Sequence, residues 1–424
     1  MKLQNSNRPF RTGLLAALVL ALVSTASSAD APVTLKDAFK DHFPIGTAVN
    51  RSMVTGGAGF RRSAEQNAAD VVLLKQHFNQ IVAENDTKWQ MIHPREGQDG
   101  YEFGPTDALV SFGLSNKMEV AGHTLVWHSQ TPNWVFAGTN PPPPSATNTA
   151  PVAAANTNAN AASTNRFGRG GFGPGFGGFN GPRASRDELL QRMSNHIHTV
   201  VGRYKGKIKV WDVVNEALAD GQGTNVLRNS PWLEIIGPDF IAKAFEYAHQ
   251  ADPDAILRYN DYGLENPAKR KRLISLIKTL QAQKVPIHAI GSQAHLNVST
   301  TFDMMDQSLR EIATLGLPIH ITELDVNTAQ GGQRGTGADI GNNAATTQGG
   351  LVSEADKKLA DAYAGIFRAF VKYRDSVKVV TFWGVNDAVS WRAQGKPLLF
   401  NGDNQPKPAF AAVIAEAKKA SFGK

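Results

Sequence analysis

The chain has 424 residues, 42% of them hydrophobic, with a formal charge of +7 and no cysteine. That is ample for a full core and long for one ordinary domain. The composition excludes disulfides and thiolate metal sites. Without a dense Lys/Arg stripe interleaved with aromatics, it also argues against nucleic acid as a partner.

Lys2, Arg8 and Arg11 precede LLAALVLALV at 14–23 and then STASSA. This charged, apolar, small-residue order reads as a signal peptide over 1–29, cut after Ala29, and the product as secreted or periplasmic. The apolar run, at about ten residues, is too short to span a bilayer easily. No membrane role is expected once the leader is gone.

From there, β-branched runs recur at 44–49, 80–85, 119–127, 208–216, 256–262, 289–296, 318–326 and 377–387. Helical patterns lie between them. SRDELLQRMSNHIHTVVGRY opens with Ser185 and has Glu188 three positions on, a capping box. AKRKRLISLIKTLQAQK and SEADKKLADAYAGIFRAFVKYR carry apolar residues at helical spacing, the latter with Ser353 and Asp356 as its start signal. Two segments break the pattern. Residues 137–184 hold PPPP, an Ala/Asn/Thr run and RFGRGGFGPGFGGFNGPR. They are too poor in branched apolar residues to build a core, and read as a solvated insertion. Residues 328–352 read as a flexible loop. Eight strands alternating with helices predict an α/β fold, a single (β/α)₈ barrel over 30–424, with both segments in βα loops on the face that carries active sites.

The strand ends are polar. Glu84 and Asn85 close the second run, His123 and Trp127 the third, Asn215 and Glu216 the fourth, Asn260 and Asp261 the fifth. Gln293 and His295, then Glu323 and Asp325, then Trp383, close the sixth to eighth. In a barrel these ends converge on one bowl, with Trp89, Trp127, Trp383 and Trp391 nearby. The bowl has no Gly-rich phosphate cradle, no HExxH pair and no GxSxG elbow. Carboxylates with indoles suit glycosidic bond cleavage: one acid protonates the leaving oxygen, while a second carboxylate attacks the anomeric carbon or activates water. Indole faces stack on sugar rings.

WDVVNEA (211–217), GHTLVWHSQ (122–130), AEN..K (83–88), YNDY (259–262), GSQAHL (291–296), ITELDV (321–326) and FWGVND…SWR (382–392) resemble the endo-β-1,4-xylanases of glycoside hydrolase family ten. The likeness covers nearly the whole mature chain except the two loops. It implies Glu216 as general acid/base and Glu323 as nucleophile, with Asn215 on the substrate 2-hydroxyl. His295 would bond Glu323, with Asp325 behind it. Glu84, Asn85 and Lys88 would hold sugar hydroxyls on the non-reducing side. His123, Trp127 and Gln130 would bound the subsite next to the cleaved bond. Gln293 would line the same cleft, Tyr262 belongs to the substrate-binding set, and Trp383 and Trp391 would close over the glycone. The family usually has ENEMK where this chain has ENDTK, so Asp86 and Thr87 depart from it, with little catalytic effect expected.

Retention of configuration, which the resemblance implies, places the two carboxyl groups about 5–5.5 Å apart. Glu216 then has to hold a proton while Glu323 stays ionised. No cofactor or metal is expected. The partners would be xylan and xylo-oligosaccharides, and the chain a monomer. Two alternatives remain at this point: a β-1,4-glucanase or mixed-specificity enzyme on the same barrel, and a non-catalytic sugar-binding protein.

Overall fold

The computed structural model describes residues 33–59, 61–138, 182–328 and 353–421. The expected leader, nearly all of the 137–184 insertion and most of the 328–352 loop lie outside the described residues. Among the described residues nine strands form one sheet: β1 (Ile45–Val49), β2 (Gln80–Ala83), β3 (Glu119–Trp127), β4 (Val210–Asn215), β5 (Ile256–Asp261), β6 (Ala289–Ser292), β7 (His295–Asn297), β8 (Ile319–Asn327) and β9 (Val377–Phe382). Their order is β6-β5-β4-β3-β2-β1-β9-β8-β7, and β6 also pairs with β8. That last pairing closes a barrel of eight parallel strands, with helices outside, as the alternation predicts.

The sixth run departs from expectation. It is not one strand over 289–296 but two pieces. After Ser292 the ladder stops, and Ala294 takes a left-handed φ of 57°. The chain then resumes as β7 against β8, with His295 opposite Asp325. The break lets the Gln293 side chain reach β4 and still puts His295 beside the carboxylates of β8. β2, β4 and β9 end slightly earlier than their sequence runs, so Glu84, Asn85, Glu216 and Trp383 stand just past their ladders.

The helix signals hold. Ser185 and Glu188 form a reciprocal capping box on the helix Arg186–Arg203. Asn266 caps Pro267–Ala282, and Ser353 caps Glu354–Lys372. Each cap satisfies an otherwise orphaned N–H. Between strands and helices lies an apolar shell, including Phe39, Phe367 and Phe382. The barrel interior, by contrast, holds a charged layer. Arg258 donates Nε to Asp212 Oδ1 at 2.6 Å and Nη2 to Oδ2 at 3.0 Å, and its Nη1 lies 3.0 Å from His320 Nδ1. Burial opposes the Asp212 charge, but Arg258 and His123 outweigh it and hold the carboxyl at about 2. The two ends of the 137–184 insertion meet: Ala137 and Arg183 form an antiparallel bridge, and Gly138 N–H donates to Pro182 O at 2.7 Å. That junction leaves the barrel beneath it unbroken.

Candidate active site

Glu216 follows the last residue of β4, is 7% exposed, and has a left-handed φ of 57°. For a residue with a Cβ that conformation costs about 1–2 kcal/mol, so neighbouring groups must hold it. Its N–H donates to Asn260 O at 2.9 Å. Its carboxyl accepts from two neutral donors, Trp127 Nε1 at 3.0 Å and Gln293 Nε2 at 3.1 Å.

Glu323 sits inside β8 and is surrounded differently. Asn260 Nδ2 donates to its Oε1 at 2.8 Å, and His295 Nε2 lies 3.2 Å from its Oε2. Burial alone would raise this carboxyl. The charge of His123 and the hydrogen bond and charge of His295 outweigh that, and Glu323 lies below the usual carboxylate range. His295 is protonated in turn. Burial opposes its charge, yet Asp325 and Glu323 push it up to about 9. Asp325 is fully buried and accepts from three directions: His295 Nδ1 at 3.0 Å, Trp391 Nε1 at 2.8 Å and Arg392 Nη1 at 2.9 Å.

A bridge of amides joins the two carboxyls. Asn215 Oδ1 accepts from Asn260 Nδ2 at 2.9 Å and from Gln293 Nε2 at 3.1 Å. The same two side chains reach Glu323 and Glu216 respectively. The sequence places Asn260 at the rim of the bowl with no role; the fold makes it the central contact. Its carbonyl oxygen accepts from Thr322 Oγ1 at 2.7 Å, so both ends of the amide are used. A signal was present: Gly291, opposite Asn260 in the ladder, where a Cβ would come within 2.3 Å of Asn260 Oδ1. A glycine inside a strand often marks such a close approach.

On one wall Lys88 donates to Asn85 Oδ1 at 3.0 Å and to Gln130 Oε1 at 2.9 Å. Its ammonium lies 5.2 Å from the Trp127 ring centre. Burial pulls Lys88 below its usual range, against the carboxylates of Glu323, Glu84 and Glu216. Burial likewise raises Glu84, against Lys88 and Arg61. Asp86 pairs with Arg51, and Thr87 exchanges hydrogen bonds with the His123 backbone. Both departures from the usual motif are therefore tied into the scaffold. His123 Nδ1 contacts Asp212 at 3.0 Å and stands 4.0 Å from Glu323 Oε1.

Trp383 is buried with Ala48, Val82, Ala121 and Val210, and stands edge-on to both His123 and His295. It floors the bowl. Trp391 packs at its side, edge-on to His295 at 5.0 Å. Trp89 is not in the cleft. It is buried behind the site, stacked on His196 at 3.6 Å, because an indole beside other aromatics gains more from packing than from water. Tyr262 lies among Asp220, Arg228 and Lys269. Among the described residues no group of three or more His, Asp or Glu is arranged to hold a metal ion, and no helix is long and apolar enough to cross a membrane.

The family profile described as glycosyl hydrolase family 10 matches residues 34–152 and 177–416. An endo-1,4-beta-xylanase of Geobacillus stearothermophilus is 37% identical over 389 residues, 90% of this chain and 98% of that protein. A beta-1,4-xylanase of Dictyoglomus thermophilum is 36% identical over 389 residues, 90% of each chain. The crystal structure of a xylanase from Paenibacillus barcinonensis superposes with a TM-score of 0.72 at 32% identity, over 91% of this chain and 99% of that one. Barrel, paired carboxylates and matched length converge: the chain belongs to glycosyl hydrolase family 10.

Proposed function

We propose that the protein is an endo-1,4-β-xylanase that cuts xylan by double displacement, with Glu323 as nucleophile and Glu216 as general acid/base. The observation that carries this reading is the contrast between the two carboxyls. Glu323 lies against a protonated imidazole and an amide donor, which favour its ionised form. The Glu216 carboxyl accepts its hydrogen bonds from an indole and an amide, both neutral donors.

In the first step a Glu323 carboxylate oxygen forms a bond to the anomeric carbon. The bond to the leaving oxygen breaks, and the Glu216 proton passes to that oxygen. In the second, Glu216 takes a proton from water, the water oxygen bonds to the anomeric carbon, and the ester to Glu323 breaks, which restores both carboxyls. Asn215, held by Asn260 and Gln293, supplies a fixed partner for the substrate 2-hydroxyl. Glu84, Asn85, Lys88 and Gln130 bind sugar hydroxyls on one side of the cleaved bond, and Tyr262 lies on the other.

Early-time proton NMR of products from xylo- and cello-oligosaccharides, run side by side, tests the assignment. A β-anomer appearing first, mainly from the xylo series, is expected. An α-anomer first would remove the covalent role of Glu323. Preference for the cello series would replace the substrate.

A further inference from the structure

The groups that hold Glu216 from behind take no part in the steps above. Glu216 keeps its left-handed backbone with its carbonyl accepting from Arg228 Nε at 3.1 Å. Arg228 is itself fixed. Its N–H donates to Ala217 O at 2.8 Å, and its Nη2 reaches Asp220 Oδ2 at 2.6 Å and Tyr262 Oη at 2.7 Å. Lys269 Nζ then joins Asp220 Oδ1 at 2.8 Å to Asp261 Oδ1 at 2.9 Å. Asp261 accepts the Leu218 N–H at 3.2 Å and the Tyr259 hydroxyl at 2.6 Å, and that hydroxyl accepts the Ala217 N–H at 3.0 Å. Cations and anions thus alternate from Arg228 through Asp220 and Lys269 to Asp261. The chain ends on β5, one residue past Asn260, which touches Glu323.

We propose that Arg228 is a positioning residue for the acid/base carboxyl. It pins the Glu216 backbone in its left-handed form, and the Asp220–Lys269–Asp261 chain ties that clamp to the strand that orients the nucleophile. The proposal rests on the reading of Glu216 as acid/base. An amide donor in ordinary secondary structure is replaced here by a side chain, because the chain leaves β4 at Glu216 and has no ladder partner for that carbonyl. Without Arg228 the carbonyl loses its donor, φ relaxes to negative values, and the carboxyl moves off its line to the leaving oxygen. Misplacement of about 1 Å costs on the order of 10²-fold in rate.

Leaving-group dependence separates this role from general damage. A dinitrophenolate departs without a proton, whereas phenolate and sugar oxygens need the acid. For Arg228→Ala, kcat/KM on phenyl β-xylobioside should fall about 10²-fold, while kcat/KM on dinitrophenyl β-xylobioside stays within about threefold. Arg228→Lys, which keeps the charge and one donor, should recover part of the loss on the phenyl substrate. Equal losses on both substrates, or no loss on either, would overturn the proposal. Glu216→Ala serves as reference. If it shows no leaving-group dependence, the acid/base assignment itself fails, and that failure is distinct from a failure of the clamp. If Arg228→Ala does not fold, Arg228→Gln is read by the same ratio.

Discussion

His295 presents Nε2 to Glu323 Oε2 at 3.2 Å and is protonated there, with its ionisation pushed up to about 9. His295→Asn removes a charge and a donor that hold the Glu323 carboxyl down. The acid limb of kcat/KM should move to higher pH by about one unit. A limb that stays in place would mean that His295 does not tune the nucleophile. The same group makes a stability prediction. Its folded value lies above the unfolded value of about 6.5, so its contribution is complete below that pH and disappears as pH rises through about 9. Melting temperatures across this range should decline in the wild type and decline less in the variant.

Asn260→Ala strips hydrogen bonds from Glu323, Asn215 and Thr322 at once. Leaving such buried groups unpaired costs about 1–3 kcal/mol. Loss of a fixed donor beside the reacting carboxylate should cost on the order of 10²-fold in kcat. Urea unfolding and steady-state kinetics check the two figures separately. A stable variant with full activity would show that Asn215 and Glu323 orient themselves without it.

His320 is buried beside Arg258. Burial first, and then the Arg258 charge, hold its ionisation down to about 3. Burial also holds His77 down to about 4 and His128 to about 3. In the unfolded chain these groups bind protons near pH 6.5. Unfolding therefore takes up protons as the pH falls, and the free energy of unfolding should drop from about pH 6.5 downward. His320→Gln should make that slope shallower. An unchanged slope would assign the acid sensitivity to other groups.

Trp391 has a fixed indole, held by Asp325 at 2.8 Å and covered by the Arg392 guanidinium at 4.6 Å. A rigid ring at the edge of the bowl is the expected barrier to the hydroxymethyl group that distinguishes glucose from xylose. Trp391→Ala should raise the ratio of cello- to xylo-oligosaccharide kcat/KM by about tenfold, the scale of one to two packed methylene groups. A ratio that does not move would place the discrimination elsewhere.

The barrel and the gathering of Glu216 and Glu323 at its strand ends were legible in the sequence, because polar residues at the ends of apolar runs are costly unless a site collects them. Asn260 was visible but had no role. Nothing in YNDY says which of Asn260 and Asp261 turns inward, and the fold sends one to Glu323 and the other to Lys269. The break at Gln293 and Ala294 was hidden for a different reason. The polar pattern runs on through His295, and an alanine carries no sign of a left-handed backbone. The same applies to the conformation of Glu216, which depends on a donor twelve positions away in the chain.

Asp325 receives His295, Trp391 and Arg392 on one carboxylate. Under the proposed mechanism, one hydrogen bond in this set tunes the nucleophile, and another holds the indole expected to select the sugar. Evolution therefore has no independent control of the two traits at this point. A lineage that widens the cleft by replacing Trp391 leaves Asp325 with one donor fewer, and so disturbs the imidazolium that serves Glu323. On that reading, substrate range and turnover are coupled through a single side chain, and broadening the first calls for a compensating donor before the second recovers.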